Sequence, residues 1–111
     1  MGFRSDAQLA QVCRALCRRV GLANLWTIDG PTPVAIALLH ADGGHLSRGE
    51  RIIFLSAWAF WNSAPNISLA DVASGLDAQS AIAVASLMLA VARGAAAIDA
   101  WLATIDTPIP R

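Results

Sequence analysis

The residues able to do chemistry gather in two places. Cys13 and Cys17 lie four apart near the start, and His40, Asp42, His45, Ser47 and Glu50 crowd one short stretch. Two thiols and two imidazoles are the ligand types of a Cys2His2 zinc site. The spacing opposes that reading, because the gap from Cys17 to His40 is much longer than in a compact zinc finger. Both cysteines also complete a helical apolar stripe of Leu9, Val12, Cys13, Leu16, Cys17 and Val20, where a free thiol behaves as a small hydrophobe. A core role is therefore expected for both, with no metal and no cofactor. His40 falls near a helix C-terminus, where a protonated imidazole meets the negative end of the dipole.

Asp42, His45, Ser47 and Glu50 could in principle assemble an acid–base site. Each has a plainer use. Ser47-Arg48-Gly49-Glu50 has the form of a capping box, and Asp42-Gly43-Gly44 that of a helix stop. Gly44 and Gly49 have the glycine spacing of a phosphate-binding loop, but Glu50 and Arg51 stand where Lys and Ser or Thr belong. A calcium loop starting at Asp42 would put Gly44, Leu46 and Ile53 at ligand positions. With no nucleophile elbow elsewhere, a non-enzymatic chain is expected.

The segment from Ser68 to Ser80, with its Leu69-Ala70-Asp71-Val72-Ala73 run and a following turn, loosely resembles the opening of a bacterial helix-turn-helix. That resemblance implies a DNA-binding regulator with the motif around residues 68–88. It departs from the pattern in two ways. The glycine comes early, and the second helix reads Ala81-Ile82-Ala83-Val84-Ala85-Ser86-Leu87-Met88, without the Arg, Lys, Asn or Gln that base edges require. A more plausible cationic footprint is Arg14 and Arg18 on the first helix, or Arg48 and Arg51 at a helix start. DNA binding is kept as the alternative reading.

The remaining candidate is a protein-contact surface. The stretch 78–93 carries a strongly apolar stripe of Val84, Met88 and Val91 flanked by Ile82, Leu87 and Leu89. Its other side, Gln79, Ala83, Ser86 and Ala90, is small and nearly chargeless, and is expected to admit a partner helix. Phe60 and Trp61 leave the central helix in different directions, and tryptophan is enriched at interface hot spots. Phe60, Trp61, Ala83, Ser86, Ala90 and Trp101 are thus the expected interface residues.

Helices must position all of these. Ser5 caps the first and Gly21 ends it; Thr32-Pro33 starts a short second one that runs to Gly43-Gly44. From Ile52 to Trp61 the next is apolar on every side except at Ser56, which marks a central helix of about residues 48–62. Asn62 through Asn66 ends it, Ser68 opens a short helix stopped by Gly75, and Asp77 caps a long one to Arg93. A last helix carries Ile98, Trp101, Leu102 and Ile105. Between the first two helices, Trp26 and Ile28 are expected to tuck inward. No segment shows strand alternation, so the expected fold is an all-α single-domain bundle of about five or six helices over residues 1–106, with an extended tail at 107–111.

Composition sets the limits. Apolar residues make up 56% of the 111 positions and charged ones 14%, which excludes disorder. Eight basic and eight acidic side chains cancel, so no long-range field draws nucleic acid or anionic lipid. Every basic residue is Arg, which with abundant Ala reads as the coding bias of a GC-rich bacterium. Neither a signal peptide nor a spanning segment is apparent, and two unpaired cysteines suit a reducing cytoplasm. A globule of this size exposes roughly 5,800 Å², which sixteen charges cover thinly. The expectation is a small accessory or inhibitor-type module that pairs with itself or with another protein, most simply as a homodimer.

Overall fold

Polar residues at the helix starts fix the architecture. In the computed structural model, which describes residues 2–63 and 66–106, Ser5 accepts from the Gln8 amide to open α1 (Asp6–Arg18). Thr32 accepts from the Ala35 amide ahead of α2 (Pro33–His40), with Pro33 in the first turn. Ser47 and Glu50 form both halves of the capping box that begins α3 (Arg48–Asn62). Ser68 caps α4 (Leu69–Gly75), Asp77 caps α5 (Ala78–Arg93), and Gly94 at φ +115° separates α5 from α6 (Ala95–Asp106). The chain is all-α, with these six helices and a single 3-10 turn at Ala23–Leu25 among the described residues.

α1 packs chiefly on α3 and α5 chiefly on α6, while α1 also meets α6 and so ties the two pairs together. α3 is the centre. Ile52 through Trp58 are buried without a break, and the hydroxyl of Ser56 returns to the Ile52 carbonyl at 2.7 Å. Continuous burial accounts for its unbroken apolar run: every face meets another element. One buried cluster runs from Val12 and Leu16 through Phe54 and Trp58 to Leu87, Ile98 and Trp101.

One small sheet departs from the sequence expectation. Trp26–Thr27 (β1) and Gly30–Pro31 (β2) pair antiparallel as a tight hairpin. The Thr27 hydroxyl accepts from the Asp29 amide and donates to the Gly30 carbonyl. Trp26 is buried as expected, but Ile28 at the hairpin tip is 63% exposed, because a two-residue turn projects outward. Ala64 and Pro65, within the expected helix-ending stretch, and the expected extended tail at 107–111 lie outside the described residues. No helix among the described residues is long and apolar enough to cross a membrane.

Candidate interaction surface

α5 is held at both ends before any partner is considered. The Asp77 carboxylate accepts from the Ser80 amide at 2.8 Å, and that hydrogen bond holds its carboxyl below the usual range. From there the inward face is Ser80, Ala83, Val84, Leu87 and Ala90. This rotates the helix away from the sequence expectation. Ala83 and Ala90, expected to meet a partner, are 7% and 6% exposed within the chain's own core. α5 packs chiefly on α6, and its buried face combines small Ser80, Ala83 and Ala90 with Val84 and Leu87.

What faces outward is the larger set. Ile82 is 59% exposed, Leu89 52% and Met88 47%, with exposed Ala78, Ala85 and Ala92 between and beyond them. No ionisable side chain occurs on α5 between Asp77 and Arg93. Leu69 at the start of α4 is 70% exposed. Beside it runs an apolar groove of about 270 Å³ lined by Phe60, Ile67, Leu69, Val72, Val84 and Met88. Val34 and Ile36 on α2 are exposed as well, but α5 carries three such side chains, and contiguous apolar patches are what solitary soluble domains usually avoid.

The six expected interface residues therefore separate. Phe60 is half-buried, lines that groove and meets Phe3 edge-on at 6.5 Å. Trp61 is turned to the hairpin, 5.7 Å from Trp26 between ring centroids and close over Gly30. Trp101 is 8% exposed, so it is a core residue, and its indole N–H donates to Ser86 Oγ at 3.0 Å. Ser86 is exposed and is the member of the set that stays on the α5 surface, beside a cleft shared with Arg19 and Trp101. Ile82, Met88, Leu89 and Leu69 are surface residues that the sequence pattern does not single out. Only the absence of charge along α5 hinted at them.

The chemically capable residues are engaged elsewhere. Arg51 Nη2 takes both Asp42 carboxylate oxygens at 2.8 and 2.9 Å, and its Nε donates to the Asp42 carbonyl. Glu50 accepts from the Ser47 amide at 2.9 Å, which lowers its carboxyl below the ordinary value. His40 and His45 are exposed. Cys13 and Cys17 are fully buried: Cys13 Sγ donates to the Ala57 carbonyl, and Cys17 Sγ accepts from the Trp26 indole at 3.1 Å. Burial raises both thiols, Cys17 to about 12, which suppresses the thiolate needed for attack or metal binding. Among the described residues no three His, Cys, Asp or Glu side chains come together as a metal site.

The two expected cationic footprints differ. Arg51 is tied to Asp42, and Arg48 stands 3.9 Å from Asp71. Arg14 and Arg18 do share one exposed face of α1, bordering a hollow with Gln11 and Leu102. In the helix pair α4–α5, the exposed side of the second helix carries Gln79 and Ser86 beside Ile82, Ala85 and Leu89, few polar side chains for a DNA reader.

A polar tie across α1 and α6 was also not foreseen. The buried Gln8 side chain donates to the Ala95 carbonyl and to Asp99, both at 3.0 Å, and Arg4 closes onto Asp99 at 2.8 Å. These bonds hold α6, and with it the inner side of α5, against α1. No protein-family model, curated protein or solved structure matches the chain.

Proposed function

We propose that this protein acts by binding and not by catalysis, and that the outward face of α5 pairs with a second copy of the chain. One observation carries the reading: Ile82, Met88 and Leu89 are about half exposed on a helix without charge between its ends. Total surface does not distinguish the molecule, since 6276 Å² is close to the roughly 5,800 Å² that scaling gives for its mass. The character of the surface does. A second copy is the preferred partner because two-fold homodimers are the commonest closed assembly. The two buried, unpaired thiols suit a reducing compartment such as the cytoplasm.

Leu89→Glu tests the reading. It should halve the mass seen by light scattering at micromolar concentration, while the far-UV spectrum stays that of the parent and unfolding stays cooperative, at a midpoint lowered only by loss of the pairing. A parent that is monomeric at every concentration overturns the proposal. So does a Leu89→Glu protein that folds and keeps the parent's mass.

A further inference from the structure

We infer that the two copies pair antiparallel along α5, through the stripe Ala78, Ile82, Ala85, Leu89 and Ala92; this rests on the self-association proposed above. The five residues are spaced four, three, four and three apart, and all are exposed. That is the 3.5-residue period of a two-helix seam.

Side-chain size along the seam alternates: alanine, isoleucine, alanine, leucine, alanine. A parallel, in-register pair would stack Ile82 on Ile82 and Leu89 on Leu89, and would leave alanine opposite alanine with a gap. Reversing one helix sets each large side chain against an alanine of the other copy. Two antiparallel registers do this. One pairs Ile82 with Ala92 and Leu89 with Ala85; the other pairs Ile82 with Ala85 and Leu89 with Ala78. Both place the crossing within a turn of Ala85. Filling space without voids is what separates a specific contact from a greasy one.

Charge points the same way. α5 has an acid at its N-cap, Asp77, a base in its last turn, Arg93, and no ionisable group between. A parallel pair would bring Asp77 to Asp77 and Arg93 to Arg93. An antiparallel pair sets opposite signs, and opposed helix dipoles, at both ends. Like charges brought together across an interface oppose the wrong arrangement even where the pair itself adds little affinity.

Cysteine placement distinguishes the geometries. At a rise of about 1.5 Å per residue, the two copies of position 85 lie about 5 Å apart along the axis, and copies of 78 and of 92 at least about 15 Å apart. Ala78→Cys, Ala85→Cys and Ala92→Cys are treated with a short bis-maleimide under native conditions, with the parent as control because Cys13 and Cys17 are fully buried. The expected yield of covalent dimer at 85 exceeds that at 78 and 92 by about tenfold or more, since effective concentration collapses when a linker cannot span its sites. Equal linking at all three positions means a parallel pair and overturns the inference while leaving self-association standing. A dimer mass with no linking at any position places the contact on another face and also overturns it. A monomer at all concentrations removes both proposals.

Discussion

Gly30→Ala should be far more damaging than a single methyl suggests, and the reason lies in Trp61. Gly30 has φ +118°, a backbone region that residues with a Cβ rarely occupy. A Cβ built there would lie 2.7 and 2.8 Å from two carbons of the Trp61 indole. Comfortable carbon contact begins near 3.5 Å, so the ring would have to retreat by almost an ångström. Its neighbour Trp26, 5.7 Å away between centroids, is itself packed on Trp58 at 5.4 Å, which limits movement on that side. Backbone strain of about 1–3 kcal/mol adds to overpacking of about 1–3 kcal/mol. A loss of about 3 kcal/mol would lower the thermal midpoint by roughly 10–20 °C in a domain of this size. Urea unfolding of the single and double variants gives the decisive number. In a Trp61→Ala background the steric part disappears, so Gly30→Ala should cost at least about 1 kcal/mol less than in the parent. Additive effects, or a Gly30→Ala protein within about 0.5 kcal/mol of the parent, would refute the packing of Trp61 over the hairpin and return that indole to the list of partner-facing residues.

Other consequences follow from burial and charge. Ala90→Glu puts a carboxylate where the parent is 6% exposed, and should cost at least about 3 kcal/mol by denaturant unfolding; a stable folded variant would show that the inner face of α5 is misassigned. Asp99 is held below its ordinary pKa by Arg4 and then Gln8. Its folded value therefore lies under the unfolded one, so its contribution is present above about pH 4 and fades as pH falls through the lower folded value. Asp99→Asn should be less stable than the parent at pH 7 and show a shallower loss between about pH 4 and pH 2, measured by urea midpoints; parallel acid limbs would contradict the tie. Cys13 and Cys17 should resist an aromatic disulfide reagent at pH 8 until the chain unfolds, as buried thiols with Cys17 raised to about 12 require. Immediate reaction of both in native buffer would contradict the α1–α3 packing.

The helix starts were legible because each is written in local chemistry. Ser5, Thr32, Ser47 with Glu50, Ser68 and Asp77 all cap the helices they were expected to cap. The central helix was legible because its apolar run leaves no wet face to choose. The same property hid the orientation of α5. With nearly every position apolar, periodicity cannot say which side turns inward, and tertiary packing, chiefly on α6, buries the side that carries Ala83 and Ala90. The hairpin was missed because its strands are two residues long and its turn, Ile28-Asp29, lacks the Asn-Gly or Asp-Gly pair that marks a tight hairpin. Gln8 looked like an ordinary surface residue of α1; its burial depends on Ala95 and Asp99, far along the chain.

The central claim is that the oily side of α5 is covered by another copy of the chain. Sedimentation equilibrium of the unaltered protein, over concentrations from nanomolar to tens of micromolar, tests it most directly. The mass should rise with concentration and level at twice the 11.6 kDa of one chain. A mass fixed at 11.6 kDa throughout would contradict it.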